Sequence, residues 1–297
     1  MTQNEIKNEI KYFINKIIRK DKSNWSLCNF KSKPEDLIFS KKKNKLKLKN
    51  INIFKPPNDE FWADPFLFEH KRNKYIFFEK FLKKKNKGII SVCCLKNNKL
   101  KYMKDILKKN FHQSYPFVFK HNNNIYLIPE SFQTKKMHIY KSINFPTKWK
   151  LIKSHFKNEI VCDPTFIKHK SSIWLFINKT NENLNDLNKQ LFLYKMSNDL
   201  SKITPHKKNP IKISSYGGRS AGPIIKFKKK IIRPGQIQQK NNYGFGLVFF
   251  EIKKLNLNEY KEKKISSITP KLFGKNRGIH HISHIKNDFV VDLNLTD

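Results

Sequence analysis

Pairs of short apolar runs recur along the chain, and a polar stretch of five or six residues separates the two runs of each pair. The first run opens at a proline, and these prolines follow one another at intervals of about 50 residues. The four openers are Pro65, Pro116, Pro164 and Pro223. Apolar runs of strand length joined by a polar turn predict β-hairpins, and repetition at this period is typical of propeller blades. A weaker fifth copy spans residues 282–292, so the pattern predicts an all-β fold, a five-bladed β-propeller.

The segments before the first repeat carry two further signals. Residues 4–20 place isoleucine and phenylalanine three and four positions apart, which predicts a short amphipathic helix, either packed on the propeller or lying on a membrane surface. Trp25–Phe30 predicts a strand that closes the ring by pairing with the last blade. We therefore expect an N-terminal helix, residues 1–22, and a propeller, residues 23–297, which ends in a frayed tail or the start of a continuation from Asp292 onward.

The chain is strongly basic, since 62 Lys and Arg residues against 23 Asp and Glu give a net charge of +39. Only five of the basic residues are Arg, and the lysines are scattered through turns beside Asn, a pattern that AT-rich codon usage produces. We expect no specific nucleic-acid partner. A peripheral contact with anionic membrane is the functional alternative, and such a surface attracts polyanions at low salt in either case.

Three absences bear on the compartment. No apolar run reaches the length of about 18 residues typical of a transmembrane helix, and the first residues lack the pattern of a secretory signal. The four cysteines show neither a disulfide framework nor metal-site spacing. These observations predict a cytoplasmic protein, with the inner membrane as the place where its basic surface would bind.

Polar residues occupy matching positions in the repeats. The residues directly before the opening prolines are Asp64, Tyr115, Asp163 and Gly222. The second apolar runs end at another polar set, Glu79, Glu130, Asn178 and Gln236. Because innermost strands run along the axis of a propeller, both sets should crowd one end of the central channel. Two carboxylates facing each other there suit acid–base chemistry at a glycosidic centre, although an Asp before a Pro also caps turns.

Several segments carry a resemblance to known families. Phe61–Phe68 and Cys162–Phe166 resemble blade openings of the five-bladed propellers of glycoside hydrolase families 43, 32 and 68. Segments that resemble the N-terminal domain of plant glucosamine inositolphosphorylceramide transferase are Trp62–Pro65, Ser114–Phe117, Ile128–Ser131, Asn144–Trp149 and Arg233–Gln236. Bacterial relatives of that domain occur in surface-polysaccharide synthesis. The resemblance covers residues 25–292 and implies a carbohydrate-active propeller in cell-surface glycan synthesis.

The resemblance to the hydrolases implies roles for individual residues. Asp64 matches their catalytic carboxylate, the general base of inverting members, and Asp163 matches a second Asp that orients the substrate. Their general acid is a Glu directly before Gly-Pro in the fourth unit, where this chain has Ala221. Losing leaving-group protonation costs about 10²–10⁴ in rate, so hydrolysis would need a relocated acid, for which Glu130 and Glu79 are the candidates.

A nucleotide-sugar donor needs less protonation, because its leaving group is already acidic. Arg219 and Arg233 flank the altered position and could bind phosphate through paired hydrogen bonds, or each could form an ion pair with a neighbouring carboxylate. His280 and His281 fall at the fifth inner strand, where one of them would contact sugar hydroxyls. Adjacent strand residues point to opposite faces, so this pair does not predict a zinc site.

Together these observations predict a glycosyltransferase-like enzyme that binds a sugar or nucleotide sugar in the central channel, without cofactor or metal. The predicted catalytic residues are Asp64, Asp163 and Glu130. The predicted substrate contacts are Trp62, Glu79, Tyr115, Asn178, Arg219, Arg233, Gln236, His280 and His281. Two alternatives stay open: a glycoside hydrolase with a relocated general acid, and a non-catalytic propeller that binds glycans.

Overall fold

The computed structural model describes residues 24–40, 46, 48–180, 183–239 and 242–296. These residues form five antiparallel sheets of four or five strands each, which confirms the five-bladed propeller. The helix predicted over residues 4–20, and with it the segment 1–22, lies outside the described residues.

The strands follow the repeats along the chain, each blade running from its inner to its outer strand. Two strands precede the first repeat, β1 (Trp25–Lys31) and β2 (Lys49–Phe54). Blade 1 contains β3 (Glu60–His70), β4 (Asn73–Leu82), β5 (Lys87–Lys96) and β6 (Lys99–Leu107). Blade 2 contains β7 (Ser114–His121), β8 (Asn124–Glu130), β9 (Met137–Asn144) and β10 (Lys148–His155).

Blades 3 and 4 each have a fifth, short strand. Blade 3 contains β11 (Ile160–His169), β12 (Ser172–Thr180), β13 (Gln190–Met196), β14 (Ile203–Pro205) and β15 (Lys212–Ile213). Blade 4 contains β16 (Tyr216–Ser220), β17 (Ile225–Phe227), β18 (Lys230–Gln239), β19 (Asn242–Leu255) and β20 (Tyr260–Ile268). Short helical turns occupy Glu35–Phe39, Lys83–Lys85, Phe132–Thr134, Leu184–Asn188 and Pro270–Phe273.

Blade 5 is assembled from distant parts of the chain. It joins β21 (Asn276–Gly278), β22 (Ile282–Ile285) and β23 (Asp288–Leu295) to β1 and β2. Strand β1 pairs antiparallel with β23 from Trp25 opposite Asn294 to Lys31 opposite Asp288, which confirms the predicted closing strand. The expectation of a frayed tail from Asp292 onward was wrong, because β23 is a buried central strand of this blade.

The inner strands break register at one shared level. The pairing of β3, β7 and β11 with the next strand skips the residue before proline and the proline itself. The residues at this level have left-handed backbone angles: Asp64 (φ 51°), Tyr115 (φ 45°), Asp163 (φ 50°) and Gly222 (φ 127°). A residue in this conformation leaves the hydrogen-bonded ladder, so its N–H is free to bind elsewhere. These N–H groups reach side chains of other repeats, as described below.

The core lies between the blades. The second strands β4, β8 and β12 are buried along most of their length, because a neighbouring blade covers each face. The outer strands β6 and β10 are mostly exposed and carry several of the lysines. Within the described ranges, no helix has the length and apolar character needed to cross a membrane.

Candidate active site

A pocket opens at the end of the axis where the inner strands begin. Its cavity volume is about 70 Å³. The aromatic side chains of its wall are Trp25, Phe61, Phe81, Phe132 and Tyr243. Its charged or titratable side chains are Asp64, Glu79, His112, Glu130, Arg219 and His280. Apolar faces with a few convergent polar groups are typical of small-molecule sites.

Asp64 is held as a carboxylate by its surroundings. Its Oδ2 accepts the N–H of Tyr115 at 3.2 Å, and its Oδ1 lies 3.3 Å from His280 Nε2. Burial alone would raise the pKa of Asp64, but the hydrogen bond and charge of His280, with smaller contributions from His281 and Arg219, lower it to about 2. Asp64 is therefore a charged acceptor inside the pocket.

His280 lies between two carboxylates. Its Nδ1 is 3.1 Å from Asp292 Oδ2, and its Nε2 faces Asp64. Burial opposes its protonation, but the charge of Asp292 and hydrogen bonds to both carboxylates raise its pKa to about 10. Ligand atoms of these three residues lie within 4.8 Å of one another, a spacing that could also hold a metal ion. Here the imidazolium itself supplies the positive charge between the two carboxylates.

A second ion pair stands on another side of the pocket. Arg219 Nε donates to Asp163 Oδ2 at 2.6 Å, and its Nη2 lies 3.4 Å from Asp163 Oδ1 and 3.7 Å from Glu130 Oε2. Its Nη1 donates to Asn188 at 2.8 Å. The Asp163 N–H donates to Glu130 Oε2 at 3.3 Å. Burial, followed by the charge of Asp163, raises the pKa of Glu130 well above its usual range, against the effect of Arg219.

Glu79 faces His112. Its Oε1 lies 3.5 Å from His112 Nε2, while His112 Nδ1 accepts the N–H of Gly88 at 2.9 Å. Burial, followed by the charge of Asp64, raises the pKa of Glu79 well above its usual range. Burial lowers the pKa of His112 to about 4. The pocket thus combines a charged carboxylate, Asp64, with two carboxyl groups that favour their protonated forms.

The structure brings five of the predicted site residues together in the pocket: Asp64, Glu79, Glu130, Arg219 and His280. Asp163 is only 1% exposed and lies behind Arg219 as its partner. The three residues predicted to be catalytic therefore lie close together, with Asp163 bound to Arg219.

Two predicted contacts lie in the buried interior rather than in the pocket lining. The Tyr115 hydroxyl bonds Thr165 Oγ1 at 2.8 Å and accepts the N–H of Gly222 at 3.0 Å. The His281 ring packs 5.3 Å from the Tyr115 ring, and burial lowers the pKa of His281 to about 4. These two residues tie the inner strands together.

Four others serve the blades themselves. Asn178 donates to the carbonyls of Gln190 and Gly218, each at 2.8 Å. Gln236 donates to the Ser220 carbonyl at 2.9 Å. Arg233 is only 1% exposed and lies outside the pocket lining. It donates to the two Glu262 carboxylate oxygens at 2.8 and 2.7 Å, which is the ion pair that the sequence analysis gave as the alternative to phosphate binding. Trp62 donates to Glu60 at 2.9 Å.

Ala221, the position where the hydrolases carry their acid, is fully buried in the apolar core. The fourth blade contributes Arg219, two residues earlier, and Tyr243 to the pocket. The carboxyl groups of the pocket that could take the place of that acid therefore belong to the first and second blades.

Sequence reasoning missed His112, Asp292 and the aromatic wall. His112 follows β6 in the connection to blade 2, outside the repeated unit. Asp292 was assigned to a tail, yet it is fully buried and its Oδ1 accepts the N–H groups of His280 and His281 at 3.0 and 2.9 Å. A search for buried acids at the fifth copy's register would have found Asp292.

The fold is that of a five-bladed propeller, and solved structures of two arabinofuranosidases are similar to it. An α-L-arabinofuranosidase from Lactobacillus brevis superposes with a TM-score of 0.57 at 13% identity, covering 81% of this chain and 86% of that one. The catalytic domain of a family 62 α-L-arabinofuranosidase from Coprinopsis cinerea superposes with a TM-score of 0.54 at 11% identity, covering 92% of this chain and 99% of that one. At these identities the likeness shows the fold alone.

Sequence comparison identifies the family. The model of the N-terminal domain of glucosamine inositolphosphorylceramide transferase 1 matches residues 52–283, and the chain belongs to this family. The Arabidopsis thaliana transferase is 33% identical over 221 residues, and that of Oryza sativa subsp. japonica is 30% identical over 210. These matches cover 73% and 69% of the chain but only 29% and 28% of the relatives.

Proposed function

We propose that this propeller is an enzyme that transfers a sugar unit held in the axial pocket, in the synthesis of cell-surface glycans. One observation carries the proposal: Asp64, with a pKa lowered to about 2, shares an aromatic pocket with Glu79 and Glu130, whose pKa values are raised. Carboxyl groups whose environments push their pKa values apart are the usual acid and base of glycosidic-bond chemistry.

The reaction uses these groups as follows. A hydroxyl of the acceptor attacks the anomeric carbon of the bound sugar and gives its proton to Asp64. The bond from the anomeric carbon to the leaving oxygen breaks, and a protonated Glu gives that oxygen a proton. Asp163 fixes Arg219 against the pocket wall through two contacts, so the Arg219 charge is preorganised when substrate binds.

The arrangement of the arginines favours a glycoside over a nucleotide sugar as donor. Arg219 already faces Asp163, Asn188 and Glu130, and Arg233 is buried beside Glu262. A diphosphate would also meet the charged carboxylate of Asp64 in the pocket, which is unfavourable for a dianion. A glycoside leaving group needs protonation, and Glu79 and Glu130 are placed to provide it.

Transfer is our first choice because the curated relatives are named as transferases. Hydrolysis, with water as acceptor, is the second candidate, because the raised pKa values of Glu79 and Glu130 supply the acid that Ala221 does not. For the setting, we propose the cytoplasmic side of the membrane, where the lysine-rich surface meets anionic lipid.

Mass-spectrometric turnover tests the proposal. Purified protein would be given a panel of aryl glycosides and nucleotide sugars, with and without glycan acceptors, at 0.2 M salt to suppress non-specific polyanion binding. Acceptor-dependent transfer from a glycoside, lost in Asp64→Asn, is the expected result. Release of sugar to water alone would establish the hydrolase. Glycan binding that survives in Asp64→Asn, with no turnover of any donor, would establish a binding module.

A further inference from the structure

We propose that Glu79 is the proton donor of the site, and that His112 is the residue that positions it. This inference rests on the proposed function, since it assigns the acid of that reaction. It gives a role to a histidine outside the repeated unit and separates Glu79 from Glu130, which occupies the same register in the next blade.

Glu130 is tied into its surroundings as a hydrogen-bond acceptor. Its Oε2 accepts the N–H of Asp163 at 3.3 Å and lies 3.7 Å from Arg219 Nη2. Arg219 favours the charged form of Glu130, whereas the charge of Asp163 raises its pKa, and Glu130 Oε2 stays engaged with both residues. Glu130 therefore suits a fixed role at the base of the Arg219 ion pair.

Among the described parts of the chain, no Arg or Lys forms an ion pair with the Glu79 carboxyl group. Its Oε1 is buried and, among the residues that the structure describes, has no hydrogen bond; the nearest donor is His112 Nε2 at 3.5 Å. The charged side chains that act on Glu79 from other elements are Asp64, His280, Asp292 and Arg219, and the carboxylate of Asp64 has the largest effect. A carboxyl group next to a fixed carboxylate retains a proton more strongly.

The state of His112 follows from its contacts. Nδ1 accepts the Gly88 N–H, so a neutral ring must carry its proton on Nε2, which faces Glu79 Oε1. The ring lies between Phe81 and Phe132, at centroid distances of 6.0 and 5.8 Å. Its backbone N–H is held by Gln133 Oε1 at 2.7 Å. His112 thus points a fixed N–H toward Oε1 of Glu79, 3.5 Å away, and leaves the proton to the other oxygen.

Gly88 makes this approach possible. A Cβ atom at position 88 would stand 2.4 Å from Glu79 Oε1 and 2.9 Å from His112 Cε1. The carboxyl group and the ring therefore pack against bare backbone. Oε1 is turned toward this side, so Oε2 is the oxygen that carries the transferable proton.

The dependence on the leaving group tests the acid. The substrates are glycosides of a sugar that the wild-type protein turns over. Glu79→Gln should lower kcat/KM by about 10²–10⁴ on the phenyl glycoside, because phenol is a poor leaving group. On the dinitrophenyl glycoside, which needs no proton, the loss should be much smaller. Glu130→Gln is the matched control and should lower both rates by a similar factor. The opposite result would be a much larger loss of kcat/KM on the phenyl than on the dinitrophenyl glycoside in Glu130→Gln, and equal losses on both in Glu79→Gln. It would overturn the inference and leave the proposed function intact.

His112 is tested by two variants and a spectrum. His112→Gln keeps an N–H near the Nε2 position and should retain more activity on the phenyl glycoside than His112→Phe. Nitrogen-15 NMR of histidine-labelled protein should show His112 as the neutral Nε2–H form at pH 7, and an imidazolium there would overturn the positioning role. Absence of any turnover in wild type would instead reject the proposed function, and with it the assignment of the acid.

Discussion

Asp292 accepts the backbone N–H of Asp64 at 2.9 Å, although 228 residues separate them in the chain. The same carboxylate accepts the N–H groups of His280 and His281 and lies 3.1 Å from His280 Nδ1. It is fully buried. Blade 5 thereby fixes the backbone of blade 1 at the level where Asp64 enters the pocket.

Replacing Asp292 by Ala should destabilise the fold strongly. The change leaves three backbone N–H groups without their acceptor and removes one partner of a buried ion pair, an effect of about 3–5 kcal/mol. Urea unfolding measures it. Asp288→Asn is the control, because the Asp288 pair with Lys74 is partly exposed and worth about 0–1 kcal/mol. Equal losses in the two variants would contradict the role given to Asp292.

The ion pair of Arg233 and Glu262 predicts a pH dependence of stability. Burial would raise the pKa of Glu262, but Arg233 and Lys212 lower it from 4.5 to about 2. The folded state therefore keeps this charge at a pH where the unfolded chain binds a proton. Its contribution is complete above pH 4.5 and is lost as the pH falls toward 2, by an amount on the order of 3 kcal/mol.

Unfolding at several acid pH values isolates this contribution when wild type is compared with the Arg233→Met, Glu262→Leu double variant. The double variant should be of similar stability at neutral pH, because apolar replacements of buried pairs are commonly tolerated. It should lose less stability than wild type below pH 4.5. Parallel curves for the two proteins would show that Glu262 has no depressed pKa.

Gly88→Ala should disturb the Glu79 side of the pocket. The added methyl would lie 2.4 Å from Glu79 Oε1 and 2.5 Å from the Gln113 carbonyl, so we expect a loss of about 1–3 kcal/mol and displacement of Glu79. Gly274→Ala is the control for the spectrum: its φ of 98° makes Ala costly in stability too, but no atom lies within 4 Å of the added Cβ. Only Gly88→Ala should move the nitrogen-15 shifts of His112; unchanged shifts would contradict the close packing.

The closing strand predicts a large effect for Phe30→Ala. Phe30 is fully buried in β1 and stacks on Phe289 of β23 at 5.4 Å. Truncation should cost about 3–5 kcal/mol in thermal or urea unfolding. Ile53→Ala, on the edge strand β2 and 40% exposed, should change stability by about 0.5 kcal/mol or less. A small effect of Phe30→Ala would mean that the ring holds without this contact.

The repeats predicted the fold and the carboxyl groups near the axis. They did not predict which of the polar residues at matching positions face the pocket. Glu79, Glu130, Asn178 and Gln236 occupy one register. The amides of Asn178 and Gln236 donate to backbone carbonyls of blades 3 and 4. Glu79 and Glu130 have no amide N–H to offer such carbonyls, and both line the pocket. This distinction follows from hydrogen-bond chemistry and was within reach of the sequence.

Other features required the three-dimensional structure. The partner of Arg233 lies on β20, the outer strand of its blade, and nothing local in the sequence connects the two residues. His112 belongs to a connection whose path depends on how blade 2 packs against blade 1. Asp292 lacks the proline signal of the other repeats, because the fifth inner strand is interrupted between β21 and β22.

The pocket wall joins residues that are translated at widely separated times. The ring of Trp25, from β1, lies 4.2 Å from that of His280, which is translated near the end of the described chain. Blades 1 to 4 can form while synthesis continues, but a nascent chain that stops before His280 lacks one side of this wall. A chain terminated before His280 therefore has no complete pocket, and any ligand of the pocket must await closure of the ring.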